Sequence, residues 1–162
     1  MKIEKVSEQT ASAASRIYAL SWKVGYKGII PQKYLDGLTT GSWTPRFKEA
    51  VYKDYILEDN GRYVAASSVS PARDGNMKGW GEIVSLYVLP EYFRNGYGKL
   101  LFEHDVEQLK NDGFEKIYLW VLEENHRARA FYKAMGFFFN GDTSVINIGG
   151  EELTELRYVN QL

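Results

Sequence analysis

Residues Leu89–Lys110 read LPEYFRNGYGKLLFEHDVEQLK, and this stretch decides the fold. An apolar run, GWGEIVSLYVLP, stops at Pro90, two glycines follow at Gly96 and Gly98, and an amphipathic helix then runs to about Asn111. Phe102, Val106 and Leu109 fall on one face of that helix, and His104 lies roughly opposite, toward solvent. A strand that ends in a glycine-rich basic turn and feeds a helix is built to hold an anion. The first helical N–H groups are unpaired, and the helix dipole favours negative charge. The plain alternative is a strand-to-helix turn whose glycines only supply positive φ.

Working outward, KIEKV alternates as a short first strand, and Ala13, Ile17, Leu20 and Val24 recur at helical spacing. Pro31 reads as the first residue of a second helix that stops before Gly41. A third follows Thr44-Pro45, with Phe47 and Val51 on its inner face. Two strand-like runs flank Asn60-Gly61, a strong hairpin signal. Downstream of the opening stretch, EKIYLWVLEEN reads as a buried strand and HRARAFYKAMGF as a helix closed by Gly136. The remainder reads as two or three antiparallel strands turning at Asn140-Gly141 and Gly149-Gly150. One α+β domain spanning residues 1–162 is expected.

Composition narrows the function. A net charge of −1 gives no overall pull toward nucleic acid or an anionic membrane, so neither is expected as a partner. The absence of cysteine excludes disulfides, thiolate nucleophiles and Cys-based zinc sites and fits a cytoplasmic location. Two histidines are too few for a His-rich metal site, and no metal is expected. The glycine turn also fails two familiar nucleotide patterns. GxGxxG needs glycine at Leu101, and GxxxxGK[ST] needs glycine at Phe93 and a hydroxyl residue at Leu100.

Read together with NHRARAFYKAMGF, the opening stretch resembles the GNAT superfamily of acetyl-CoA-dependent N-acetyltransferases. The loop pattern [Q/R]xxGx[G/A] is matched at Gly96 and Gly98. The second motif is matched at Asn125, Ala128, Phe131, Tyr132, Gly136 and Phe137. The resemblance implies a mixed, mostly antiparallel twisted sheet of about seven strands with about four helices. It also implies that strand Glu82–Leu89 splays from strand Lys116–Leu122 to admit the pantetheine arm. Acetyl-CoA is the implied cofactor, held by Leu86, Tyr87, Val88, Arg94, Asn95, Gly96, Tyr97, Gly98, Lys99, Asn125, Ala128, Phe131 and Tyr132. One departure stands out. Phe93 occupies the usual Gln/Arg position, and the cation comes one residue later, at Arg94, which is expected to substitute in part.

The implied reaction is direct acetyl transfer to a primary amine of a small molecule or peptide. Main-chain N–H at Tyr87 or Val88 would serve as oxyanion donor, a choice that a one-residue bulge decides. Tyr132 is the candidate general acid, because a phenol stays protonated at neutral pH; an aromatic core residue is the plain alternative. Asn125 either caps its helix or touches the cofactor arm. Glu82 is the candidate base, working through water from a half-buried position among Trp80, Ile83 and Tyr87. His126 is a remote second choice. Trp22 and Tyr26, among the aromatics of the first helices, and Glu123 are candidate acceptor contacts. A non-catalytic acyl-CoA-binding module of the same fold is the alternative function, and analogy leaves a homodimer through the C-terminal strands open.

Overall fold

The computed structural model describes residues 1–162, and their elements alternate around one seven-stranded sheet. In chain order these are β1 (Lys2–Lys5), α1 (Ala11–Gly25), α2 (Gln32–Gly37), α3 (Thr44–Glu49), β2 (Lys53–Asp59) and β3 (Arg62–Pro71). There follow β4 (Gly81–Val88), α4 (Tyr97–Asn111), β5 (Lys116–Leu122), α5 (His126–Ala134), β6 (Phe138–Ile148) and β7 (Glu151–Gln161). The spatial order is β1-β2-β3-β4-β5-β7-β6. All neighbours pair antiparallel except β4 and β5, which α4 joins as a parallel crossover.

Period-two alternation places a core on each face of the sheet. Leu57 and Ala65 face Leu101, Phe102 and Leu109 of α4 and Phe137 beyond α5. Their chain neighbours Ile56 and Ala66 face Ala14, Ile17 and Tyr18 of α1 and Phe47 of α3. Burying a side chain such as Phe102, which is 1% exposed, contributes roughly 2–3 kcal/mol. A polar cluster ties α1 and α3 to the sheet. The Tyr18 hydroxyl meets Ser68 Oγ at 2.9 Å and Ser85 Oγ at 2.5 Å, and Arg46 donates to Asp54 and Ser68 at 3.1 Å each.

Several local expectations shift. The second helix starts after Pro31, which is its N-cap. Val51 lies beyond α3 and is 57% exposed, so only Phe47 serves its inner face. There are five α-helices rather than about four. Asn140-Gly141 is not a turn: β6 runs through it as a bulge, with the Asn140 side chain accepting from Asp142 N–H at 3.0 Å. Extended pairing with β7 on both sides overrides the local turn signal. The Asn60-Gly61 hairpin does form, with φ of 50° and 75°.

Two irregularities in β4 position the site. Facing β3, Ser85 pairs with Ser68 and Ile83 with Val69, so Val84 is an extra, bulged residue. Facing β5, only Gly81–Ile117 and Glu82–Tyr118 pair, and beyond them the strands part.

Candidate active site

The parted strands open a cavity of ≈ 680 Å3 that passes from one face of the sheet to the other. That volume suits a small-molecule site. One mouth lies at the turn before α4. Gly96 takes φ 84°, a left-handed conformation that lets the chain swing into the helix. Leu100 N–H bonds back to the Gly96 carbonyl at 3.0 Å, so the N–H groups of the preceding first turn have no intrahelical partner. Arg94, itself at φ 64°, and Lys99 add positive charge at this mouth.

Arg127 joins them from α5. Its guanidinium carbon sits 4.1 Å from the centre of the Phe93 ring. A side chain at position 25 would crowd it, because a Cβ on Gly25 would lie 3.2 Å from Arg127 Nη2. Burial, and secondarily the Arg94 charge, hold the Arg127 pKa below its ordinary value. Phe93 therefore anchors a cation from another element. No pattern local to the loop could have revealed this.

Along the gap, the backbone of β4 offers unpaired groups. Leu89 N–H bonds to Val64 on the β3 side at 2.8 Å. Alternation therefore turns Tyr87 N–H toward β3 and Val88 N–H toward the gap. Ser21 Oγ–H donates to the Val88 carbonyl at 2.6 Å, fixing α1 over this segment. Leu86, Tyr87 and Val88 line the cavity from β4; Asn125, Ala128, Phe131 and Tyr132 line it from the start and face of α5. Asn125 Oδ1 accepts from Ala128 N–H at 3.2 Å, so the capping role is realised at the cavity wall. The Tyr132 ring packs edge-on to Phe131 at 5.3 Å. Desolvation, with lesser contributions from Tyr87 and Asp105, drives its hydroxyl pKa well above the ordinary phenol value. It is a proton donor at neutral pH.

The opposite mouth is roofed by α1 and the segment after it. Trp22, Tyr26 and Ile30 stand over Tyr87, Trp120, Leu122, Ile146 and Ile148. Trp22 and Tyr26 meet edge-on at 4.8 Å, and the Tyr26 and Tyr87 hydroxyls lie 3.2 Å apart. Arg73 and Glu155 also line this end. The sequence motifs flag neither of them, since each becomes part of the site only when distant strands assemble.

Four expected site residues stand apart from the cavity. Tyr97 directs its hydroxyl to Asp59 at 2.6 Å, leaving only its backbone N–H for the loop. Asn95 and Glu123 are exposed, and the Glu123 carbonyl accepts from Arg129 Nη1 at 2.8 Å. Glu82 is more consequential. It is 1% exposed rather than half-buried, and it does not line the cavity. Its oxygens accept from Arg73 Nη2 at 2.6 Å, Arg73 N–H at 3.0 Å and the Tyr118 hydroxyl at 2.8 Å. A carboxylate so fully engaged holds Arg73 and Tyr118 in place and has no open face for an amine. His104 departs from expectation too: it lies edge-on against Tyr55 at 4.5 Å instead of facing solvent.

Comparison with known proteins bears on this geometry. Residues 20–137 match the family model described as the acetyltransferase (GNAT) family. An uncharacterized N-acetyltransferase of Bacillus subtilis, YuaI, is 29% identical over 122 residues, covering 74% of this chain and 70% of that protein. The crystal structure of a ribosomal-protein-alanine N-acetyltransferase from Brucella melitensis superimposes with a TM-score of 0.76 at 18% identity, over all of both chains. A PaiA N-acetyltransferase from Thermoplasma acidophilum, in complex with coenzyme A, does so with a TM-score of 0.74, also at 18% identity and over all of both chains.

Proposed function

Because this chain belongs to the GNAT family of acetyltransferases, which use acetyl-CoA as cosubstrate, we propose that it moves the acetyl group directly to a primary amine, with residues 1–162 acting as one catalytic domain. The observation that carries this reading is the cavity through the sheet, which gives two reactants separate entrances to one gap. The residues suit the cosubstrate. Free N–H groups of the first α4 turn, with Arg94, Lys99 and Arg127, match a pyrophosphate. The open edge of β4 matches an extended amide-bearing arm. When bound, acetyl-CoA supplies an activated acyl group as a thioester.

The chain's own residues divide the remaining work. Val88 N–H, turned into the gap, donates to the carbonyl oxygen as negative charge develops there. Tyr132 donates a proton to the departing sulfur. Glu82 acts through its hold on Arg73 and Tyr118 as a positioning residue. No cysteine is present to carry an acyl group, which supports transfer without a covalent enzyme intermediate. The aromatic walls of the second mouth favour an acceptor whose amine is attached to an apolar or aromatic body.

The test is a thiol-release assay with acetyl-CoA against a panel of primary amines, including polyamines, aromatic amines and peptides with free N-termini. Release that depends on an aromatic or apolar amine is the expected result. Thermal stabilisation by CoA with no turnover on any amine would instead mark a module that only binds the cosubstrate. Turnover confined to small polyamines would overturn the acceptor preference.

A further inference from the structure

The acceptor mouth contains two charged side chains with opposite fates. Arg73 is tied to Glu82 by Nε and Nη2, so that pair neutralises itself within the wall. Glu155 has no hydrogen bond or ion pair from its carboxylate. It stands on β7 opposite Leu122 of β5 and Ser144 of β6, half-buried beside Ile146, Ile148 and Trp120. Tyr26 of α1 and the Arg73–Glu82 pair of the β3–β4 end face it. A lone carboxylate in an aromatic chamber is costly unless a cation arrives to meet it.

Resting on the reading of the site as an amine acetyltransferase, we propose that Glu155 receives the acceptor as its ammonium and takes the proton that must leave before transfer. We assign the acceptor class as primary amines on an apolar or aromatic body with no free carboxylate on the adjacent carbon. A carboxylate there would be brought into the chamber beside Glu155. The cation that acts on Glu155, Arg73, is already committed to Glu82. Burial raises the Glu155 pKa above the ordinary carboxylate value, which brings it closer to the work of a base.

A Glu155 carboxylate oxygen takes one N–H proton of the ammonium and later gives it to solvent. The freed nitrogen lone pair forms the C–N bond, and the C–S bond breaks with its electron pair going to sulfur. Sulfur takes a proton from the Tyr132 hydroxyl, which recovers one through water from the nitrogen as it becomes an amide. The products are an amide, a thiol and one proton released.

Tyramine and tyrosine, identical but for the carboxylate, are the probes, used with wild type, Glu155→Gln and Glu155→Asp. In wild type, kcat/KM for tyramine is expected to be bell-shaped in pH, falling at acid pH as Glu155 protonates and at alkaline pH as the ammonium is lost. In Glu155→Gln only the free amine can react, so kcat/KM should climb steadily toward the amine pKa near 10. At pH 7 the loss is expected to be roughly 10²- to 10³-fold, since about one amine in a thousand is then neutral. Glu155→Asp should restore part of the bell. Calorimetry is expected to show an unchanged dissociation constant for CoA, and tyramine binding to the CoA-loaded protein weakened at least about tenfold in Glu155→Gln. An unchanged pH profile together with unchanged tyramine binding overturns the role of Glu155. Tyrosine acetylated as well as tyramine overturns the acceptor class. If wild type turns over neither, the transfer reading fails for these amines, and the tyramine binding comparison still decides Glu155.

Discussion

Asp105 offers a test that depends on no assumption about substrates. It is fully buried on α4, accepts from the Ser67 hydroxyl at 2.9 Å, and has His104 Nδ1 at 3.4 Å, while its Oδ2 has no partner. Tyr55 and Tyr132 face it as neutral phenols. Burial is the largest influence and outweighs the opposing pull of His104 and Ser67, raising its pKa from an ordinary 3.8 to about 6. Between those values the folded chain retains a proton that the unfolded chain releases, so stability falls as pH rises through that window. The gap is worth about 3 kcal/mol at about 1.4 kcal/mol per pH unit. Asp105→Asn cannot ionise and keeps an acceptor for Ser67. It is therefore expected to gain about 1–3 kcal/mol over wild type at pH 7.5 and little or nothing at pH 4. Urea unfolding of both proteins at pH 4, 5, 6 and 7.5 reads this directly, and the difference between them cancels the other carboxylates. A difference that stays flat across pH, or an Asn variant less stable at pH 7.5, would refute the assignment.

Tyr132→Phe should lower kcat roughly 10²- to 10³-fold while leaving CoA binding within about twofold, measured by steady-state kinetics and calorimetry; equal turnover would remove the phenol from the chemistry. Arg127→Ala should weaken CoA binding about tenfold or more at low salt, with a shallower salt dependence, and Arg94→Ala should do so to a lesser extent. Phe93→Ala should reproduce part of the Arg127 loss by removing the ring that holds its guanidinium. If Phe93→Ala weakens CoA binding as much in the Arg127→Ala background as alone, the two do not act together.

Elements set by short-range chemistry were legible in the sequence. The Asn60-Gly61 hairpin, the glycine turn into α4 and the Gly136 helix stop each depend on a few adjacent residues. Identical local chemistry misled at Asn140-Gly141, because long-range pairing of β6 with β7 decides there. The same limit applies to the site. The glycine loop, Asn125 and Tyr132 sit in motifs that mark them as candidates, and all of them line the cavity. Glu82 reads locally as a half-buried base, because neither the Arg73 that folds back onto it across a nine-residue separation nor Tyr118 leaves a local signal. Glu155 lies in EELTELRYV, where it alternates with Glu151, Leu153, Arg157 and Val159, a mixed face that local pattern assigns to neither solvent nor core. Only the docking of α1 and the following segment over that face makes it the wall of a chamber. Sidedness of an outer strand is a property of what covers it, and its own residues do not record that.

The seam of two residue pairs between β4 and β5 has a consequence for how firmly the molecule can be built. Four strands lie on one side of it and three on the other, and apart from the Val88 carbonyl, which Ser21 meets, the main chain along the gap is left with pairing capacity that β5 does not meet. A strand-like ligand pairing there would draw part of its affinity from the sheet's own incompleteness. Substitutions that let the two strands zip together would yield a sturdier protein and close the only passage between its two entrances. Here the ordinary direction of stabilising change runs against activity, and the weakest join in the sheet is one that selection for function must keep weak.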